Sequence, residues 1–162
     1  MCVIVDADVS VRVLLEVDDP DYGLMRRALF GDAIPRARIV YGGKLLTVEY
    51  KRSARILGAI AALDRAGRAR RVPDELVNEI EAIVCAEGAC VSQDTHVVAL
   101  ARASRARLLC TMDGALSTDF TNPAVVNAPR GKVYTRHAHL QLLSECCKRV
   151  FRQPRRRQRR SR

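Results

Sequence analysis

The sequence contains few aromatic side chains and no tryptophan. Aromatic residues make up 4% of the 162 residues, whereas 48% of the residues are hydrophobic, mostly Ala, Val, Leu and Ile. This composition disfavours an aromatic-rich β-sandwich and favours an α/β or helical core. A chain of this length usually folds as one domain, and its hydrophobic content is enough to bury one core.

Long apolar runs are also absent. The longest run, residues 56–63, is far shorter than the roughly 20 residues that cross a bilayer, so we expect no membrane span and no membrane partner. The first apolar stretch has no basic residues before it and is interrupted by Asp6 and Asp8. We therefore expect no signal peptide and a cytoplasmic protein.

The six cysteines include no Cys-x-x-Cys spacing. Cys2 and Cys110 lie in apolar runs, where a thiol behaves as a small hydrophobic group, so we expect reduced thiols. The three histidines fit no structural zinc spacing. A zinc site nevertheless stays open as an alternative at four residues, Cys85, Cys90, His137 and His139.

Positive charge is concentrated at the end of the chain. The formal net charge is +10, and the seven arginines of residues 152–162 leave only +3 on residues 1–151. Such a segment either attracts nucleic acid through counterion release or is simply a solvated, disordered charge run. We therefore divide the chain into a domain of residues 1–151 and a basic, disordered tail of residues 152–162, with these nucleic-acid-binding candidates: Arg155, Arg156, Arg157, Arg159 and Arg160.

Short strand patterns alternate with helical patterns along the chain. Strands are predicted at residues 2–5, 38–41, 70–72 and 108–111, with at most one short peripheral strand in residues 125–134. Helices are predicted at residues 44–66, 73–87, 95–104 and 140–151, with a turn or short helix at 113–119. The first strand is wholly apolar, which is typical of a central strand buried on both faces. The alternation predicts an α/β, three-layer α/β/α domain with a central, mainly parallel, short-stranded sheet and a ligand site beyond the carboxyl ends of the strands.

Two aspartates follow predicted strands closely. Asp6 comes directly after the first strand, and Asp113 follows the strand of residues 108–111 after one intervening residue. Each aspartate taken alone could be a helix cap. A parallel sheet delivers both to the same edge, so we expect them to meet there.

Glu49 has an unusual position in the predicted helix of residues 44–66. Positions 45, 49, 56, 60 and 63 fall on one helical stripe, and the other four are Leu or Ile. An ionised carboxylate on such a stripe is costly unless it is paired or binds a metal ion. The alternative is an ion pair with Lys51 or Arg52 at the edge of the stripe.

Asp94 stands at the predicted start of the helix of residues 95–104, where it can be an N-cap and also direct its free oxygen toward Asp6. Phosphodiester hydrolysis needs an activated water and neutralisation of developing negative charge. Carboxylates hold Mg²⁺ or Mn²⁺, and either ion supplies both. The sequence therefore predicts a catalytic metal site at four acids, Asp6, Glu49, Asp94 and Asp113.

The order of these acids resembles that of the PIN domain nucleases. The family pattern has four acids in order: an Asp at the end of a strand, a Glu in a helix, an Asp that opens a later helix, and an Asp after the next strand. The first two are found here in Val3-Ile4-Val5-Asp6-Ala7-Asp8 and Leu46-Thr47-Val48-Glu49. The last two are found in Ser92-Gln93-Asp94-Thr95-His96 and Leu108-Leu109-Cys110-Thr111-Met112-Asp113. The resemblance extends over most of residues 2–120. Residues 38–45, 119–120 and 129–134 are most similar to the toxin-like bacterial and archaeal branch.

The resemblance implies a PIN-like fold and a Mg²⁺- or Mn²⁺-dependent endonuclease, most simply a ribonuclease, that cuts RNA or flap-like single strands. It implies that the metal is held by Asp6, Glu49 and Asp113, while Asp94 completes the cluster and orients the attacking water. It also implies a toxin or defence role, an antitoxin-like inhibitor as partner, and a homo-oligomer.

The sequence departs from the family pattern in two places. Asp8 stands where the family more often has Asn, Ser or Thr, and Asp119 lies six residues after Asp113 rather than two. We keep Asp8 and Asp119 as additional candidate site residues. His96 is a candidate substrate contact, although it, Lys44 and Ser92 can equally be ordinary surface or capping residues.

Two other functions compete with this interpretation. Residues 6–10 also resemble the first motif of haloacid dehalogenase-type phosphatases, in which the first Asp is a nucleophile and the second a general acid. That mechanism needs a lysine on a helix and leaves Glu49 unexplained. The second alternative is a catalytically silent, PIN-like module that binds nucleic acid or a partner through its basic tail, but the presence of all four acids argues against it.

Overall fold

The computed structural model of the protein describes residues 2–31, 36–127, 129–136, 139 and 141–142. Its strands are β1 (Cys2–Val5), β2 (Arg38–Tyr41), β3 (Ala69–Arg71), β4 (Leu108–Cys110) and β5 (Lys132–Tyr134). Its α-helices are α1 (Ser10–Leu14), α2 (Gly23–Phe30), α3 (Ala54–Arg65), α4 (Asp74–Glu87), α5 (Thr95–Ser104) and α6 (Gly114–Thr121).

The five strands form one parallel sheet in the order β3-β2-β1-β4-β5. Strand β1 lies at the centre, and its residues 3–5 are fully buried, as expected for a central strand covered on both faces. Helices flank the sheet, so the predicted three-layer α/β/α architecture is confirmed. Val5 at the end of β1 pairs with Cys110 at the end of β4, which brings the segments after both strands side by side.

Most predicted elements are confirmed, some within a residue. Strand β3 is an edge strand, and β5 is the short peripheral strand expected within residues 125–134. Helix α5 has the predicted bounds, and α4 begins one residue later than predicted, because Pro73 is its N-cap. Helices α1 and α2 lie in a segment where the sequence pattern predicted no helix. Helix α1 is only five residues long and follows a 3₁₀ turn at Ala7–Val9, so it is too short to show an amphipathic period.

The predicted continuous helix of residues 44–66 is wrong. The chain instead forms a π-helical turn at Leu45–Glu49 and a 3₁₀ turn at Tyr50–Arg52, and then begins α3 after Ser53. Ser53 has extended backbone angles (φ −129°, ψ 109°), and its side chain accepts a hydrogen bond from the Ile56 amide, so it acts as the N-cap of α3. The fully buried Tyr50 donates its hydroxyl to the Val5 carbonyl at the end of β1. This tertiary contact holds the turn containing Glu49 against the edge of the sheet.

A glycine after β2 allows the chain to turn into this segment. Gly43 has a left-handed φ of +57°, and a Cβ added there would lie 2.6 Å from the Val77 side chain on α4. Its amide donates to the Asp74 carboxylate at 2.8 Å. A larger residue would therefore be strained in its backbone and would also collide with α4.

Several predictions fall on residues outside those described. They are most of the terminal helix predicted at residues 140–151, the domain boundary after residue 151, and the arginine-rich tail. Among the described residues, no helix is long and apolar enough to cross a membrane.

Candidate metal centre

An acidic cleft of about 370 Å³ lies at the carboxyl ends of β1 and β4. It is lined by Asp6, Ala7, Asp8, Glu49, Asp94, Met112 and Asp113. The four acids predicted from the sequence all line it, and so does Asp8. Each of the four comes from a different segment: the end of β1, the π-helical turn, the start of α5 and the start of α6.

Asp6 is held firmly at the end of β1. Its amide donates to the Cys110 carbonyl at 2.9 Å, which continues the pairing of β1 with β4 by one bond. Its carboxylate accepts from the Ala7 amide at 2.8 Å and from the Thr111 hydroxyl at 2.7 Å. The residue is only 6% exposed, so its orientation in the cleft is set by these bonds.

Burial raises the pKa of Asp6 to about 6. The hydrogen bond from Thr111 opposes this rise, whereas the negative charges of Asp8 and Asp94 add to it. The ionised carboxylate of Asp6 is thus unfavourable in the free protein, and a cation in the cleft would stabilise it.

Thr111 connects two of the acids and was not singled out from the sequence. Besides donating to Asp6, its hydroxyl oxygen accepts from the Asp113 amide at 3.0 Å. Asp113 in turn caps α6, since its Oδ1 accepts from the Leu116 amide at 2.7 Å. A Thr closing a strand two residues before an Asp is a weak signal, because only the pairing of β1 with β4 places it beside Asp6.

Asp8 lies at the rim of the cleft. It is exposed, and its Oδ2 accepts from the Met112 amide at 2.8 Å. It therefore joins the segment after β1 to the segment after β4 and adds negative charge to the cleft.

Asp94 occupies the N-cap position of α5, but its side chain makes no capping hydrogen bond. The predicted capping role of this carboxylate is therefore wrong. The Asp94 amide donates to the Ser92 hydroxyl oxygen at 3.0 Å. The Asp94 side chain lines the cleft. Burial raises the pKa of Asp94, and the charges of Glu49 and Asp113 raise it further, whereas His96 lowers it.

Glu49 contacts His96 across the cleft wall. His96 Nε2 lies 3.0 Å from Glu49 Oε1, and the two side chains are 9% and 22% exposed. The two atoms are close enough for an ion pair. The other carboxylate oxygen, Glu49 Oε2, is buried without a hydrogen-bond partner among the described residues. The side chain paired with Glu49 is therefore His96, not Lys51 or Arg52 as the sequence-based alternative suggested.

The groups around His96 shift its pKa. Burial by itself lowers the pKa of His96, but contact with Glu49 and the charges of Asp94 and Glu81 raise it above the ordinary value. One ligand atom from each of Glu49, Asp94 and His96 lies within 4.8 Å of the others, so these residues could hold a metal ion. The unpartnered Glu49 Oε2 fits that role, because a bound cation would satisfy it.

Asp119 lies outside this cleft. It is 1% exposed, and its carboxylate accepts from the Val91 and Ser92 amides at 2.9 and 2.8 Å. Asp119 thus anchors the loop that leads to Asp94 and lies behind the site.

Lys44 pairs with an acid outside the cleft lining. Its ammonium contacts Glu81 Oε1 at 2.7 Å.

The zinc alternative gains no support in the described part of the chain. Cys85 and Cys90 have free thiols, and these two with His139 do not form a metal-ligand group among the residues described. The fourth candidate, His137, lies outside the described residues.

No family model and no curated protein matches the chain by sequence. Among solved structures, the chain is similar to a chain of VapBC2 from Rickettsia felis, solved bound to a DNA fragment from the promoter of these proteins. The match covers 83% of this chain and 100% of that chain, with 14% sequence identity and a TM-score of 0.42. A likeness of this degree says nothing about activity or partner.

Proposed function

We propose that the protein is a PIN-type, metal-dependent nuclease that hydrolyses phosphodiester bonds in RNA or single-stranded nucleic acid. The observation that carries this proposal is the convergence of Asp6, Glu49, Asp94 and Asp113 from four segments on one cleft. Structural acids seldom gather in this way, because each ionised carboxylate raises the cost of ionising the next.

The residues of the cleft would have two roles, which are binding the metal ion and orienting the attacking water. A bound Mg²⁺ or Mn²⁺ would neutralise charge that develops on the phosphate and activate the attacking water. Asp6 and Asp113 are held in a fixed relation by Thr111. The Asp94 carboxylate makes no capping hydrogen bond to α5, so it is suited to accept a hydrogen bond from the attacking water and orient it.

The phosphatase alternative fits the described residues less well. A phosphatase of the haloacid dehalogenase type would need a lysine facing the first aspartate, whereas no described lysine lines the cleft and Lys44 pairs with Glu81. Glu49, which that mechanism leaves unexplained, lines the same cleft as Asp6. These positions favour the nuclease.

A toxin or defence role, an antitoxin-like inhibitor and self-association are proposals that depend on the resemblance to the toxin-like PIN branch. We also propose that the basic tail, through Arg155, Arg156, Arg157, Arg159 and Arg160, binds the phosphate backbone of the substrate.

The test is a cleavage assay with labelled single-stranded RNA, single-stranded DNA and duplex DNA in Mg²⁺, Mn²⁺ or excess chelator. We expect single strands to be cut only with the divalent ion, and Asp94→Asn to lose cutting. Asp64→Asn, the same change at an exposed site on α3, is the matched control and should cut normally. Undiminished cutting in chelator, or by Asp94→Asn, would refute the proposal.

A further inference from the structure

His96 has the surroundings of a ligand more than those of a surface residue. Its side chain is only 9% exposed, and its Nε2 lies 3.0 Å from Glu49 Oε1. The same ring lies in the group whose ligand atoms are within 4.8 Å of one another. Glu49 presents a buried oxygen, Oε2, that has no hydrogen-bond partner among the described residues. A buried carboxylate oxygen without a partner is costly unless something binds it.

We infer that His96 is a metal ligand and that the cleft binds a divalent first-row transition-metal ion in preference to Mg²⁺. This inference rests on the proposed metal-dependent function and specifies its ion. The ligands are an imidazole nitrogen from His96 and carboxylate oxygens from Glu49 and Asp94. Mg²⁺ strongly prefers oxygen ligands, whereas imidazole is a good ligand for transition metals, whose affinities rise from Mn²⁺ to Cu²⁺.

The ligand atoms are close enough together to reach one ion. One atom from each of Glu49, Asp94 and His96 lies within 4.8 Å of the others, and His96 Nε2 is 3.0 Å from Glu49 Oε1. Asp94 and His96 both come from the start of α5, and Asp94 makes no capping bond that ligation would break. The metal would thus take the place of the direct contact between Glu49 and His96 with small side-chain movements.

The affinity test uses isothermal titration calorimetry of the full-length protein with Mn²⁺ and, separately, Mg²⁺. We expect Mn²⁺ to bind wild type at least about tenfold more tightly than Mg²⁺. His96→Gln should remove most of that preference by weakening Mn²⁺ binding. His139→Gln is the matched control, because His139 contacts Thr135 and the Tyr134 ring and is not in the group of Glu49, Asp94 and His96. This variant should bind both ions as wild type does.

A second measurement does not depend on a variant. Pulsed electron paramagnetic resonance of Mn²⁺ bound to wild type should show coupling to a histidine nitrogen, and labelling histidine with ¹⁵N should change that coupling. The coupling should persist in His139→Gln. Bound Mn²⁺ without histidine coupling, or equal affinities for Mn²⁺ and Mg²⁺, would overturn the inference.

These outcomes are distinguishable from failure of the proposed function. Cleavage with bound Mn²⁺ that shows no histidine coupling would overturn only the role of His96. Histidine-coupled Mn²⁺ in a protein that cuts no nucleic acid would overturn the nuclease and support the metal site. Absence of any metal binding would overturn both.

Discussion

Neutralising Asp6 is expected to stabilise the metal-free protein at neutral pH. Its carboxyl is buried beside Asp8 and Asp94, and its pKa is raised from 3.8 to about 6. The folded state therefore holds the Asp6 proton more tightly than the unfolded state. Below about pH 4 the group is protonated in both states and contributes no penalty, whereas between about pH 4 and pH 6 ionisation becomes progressively unfavourable to folding.

The pKa shift of Asp6 sets how much stability its ionisation costs the folded protein. A change of about two pKa units corresponds to about 3 kcal/mol of lost stability above pH 6. Asp6→Asn removes this penalty. The amide oxygen of Asn can still accept from Ala7, and its amino group can donate to Thr111, so little hydrogen bonding is lost. We expect the variant to gain about 2 kcal/mol relative to wild type on going from about pH 4.5 to about pH 8.

The assay is urea unfolding of both proteins in chelator at the two pH values, with the free energy of unfolding taken from the midpoint and slope. Asp64→Asn, an exposed aspartate outside the cleft, is the control and should show no such pH-dependent difference. An Asp6→Asn difference that is independent of pH, or destabilisation at pH 8, would show that burial of the charge does not oppose folding.

Three further predictions concern catalysis, the tail and the turn after β2. Asp113→Asn should lower the cleavage rate by about a hundredfold or more. The circular dichroism spectrum should stay unchanged, because Asn still caps α6. A wild-type rate would show that Asp113 does not belong to the site. Removing residues 152–162 should weaken substrate affinity and flatten its dependence on salt between about 50 and 200 mM in filter-binding assays, without changing the rate at saturating substrate; an unchanged slope would contradict a phosphate-binding tail. Gly43→Ala should lower the free energy of unfolding by about 1–3 kcal/mol, because of its positive φ and the contact with Val77. Gly58→Ala, where an added Cβ meets nothing within 4 Å, is the control and should not destabilise; equal stabilities of the two variants would refute the reasoning.

The sequence by itself determined the sheet and the set of acids. A wholly apolar run ending in Asp6 predicts a central strand, and the bounds of α4 and α5 follow, to within one residue, from local start and stop signals. Once the strands are parallel, Asp6 and Asp113 must share one edge. These features depend on short-range patterns that can be read without knowing which residues meet.

Only the tertiary structure decided how the acids are arranged. The helix period across residues 44–66 concealed a break at Ser53, and the contact of Tyr50 with β1 sets the place of Glu49. The pairing of Glu49 with His96, 47 positions along the chain, has no local signal. Asp119 likewise binds the loop before Asp94 and not the cleft. Partners distant in sequence are chosen by packing, because burial requires each polar group to find whichever partner the fold brings within reach.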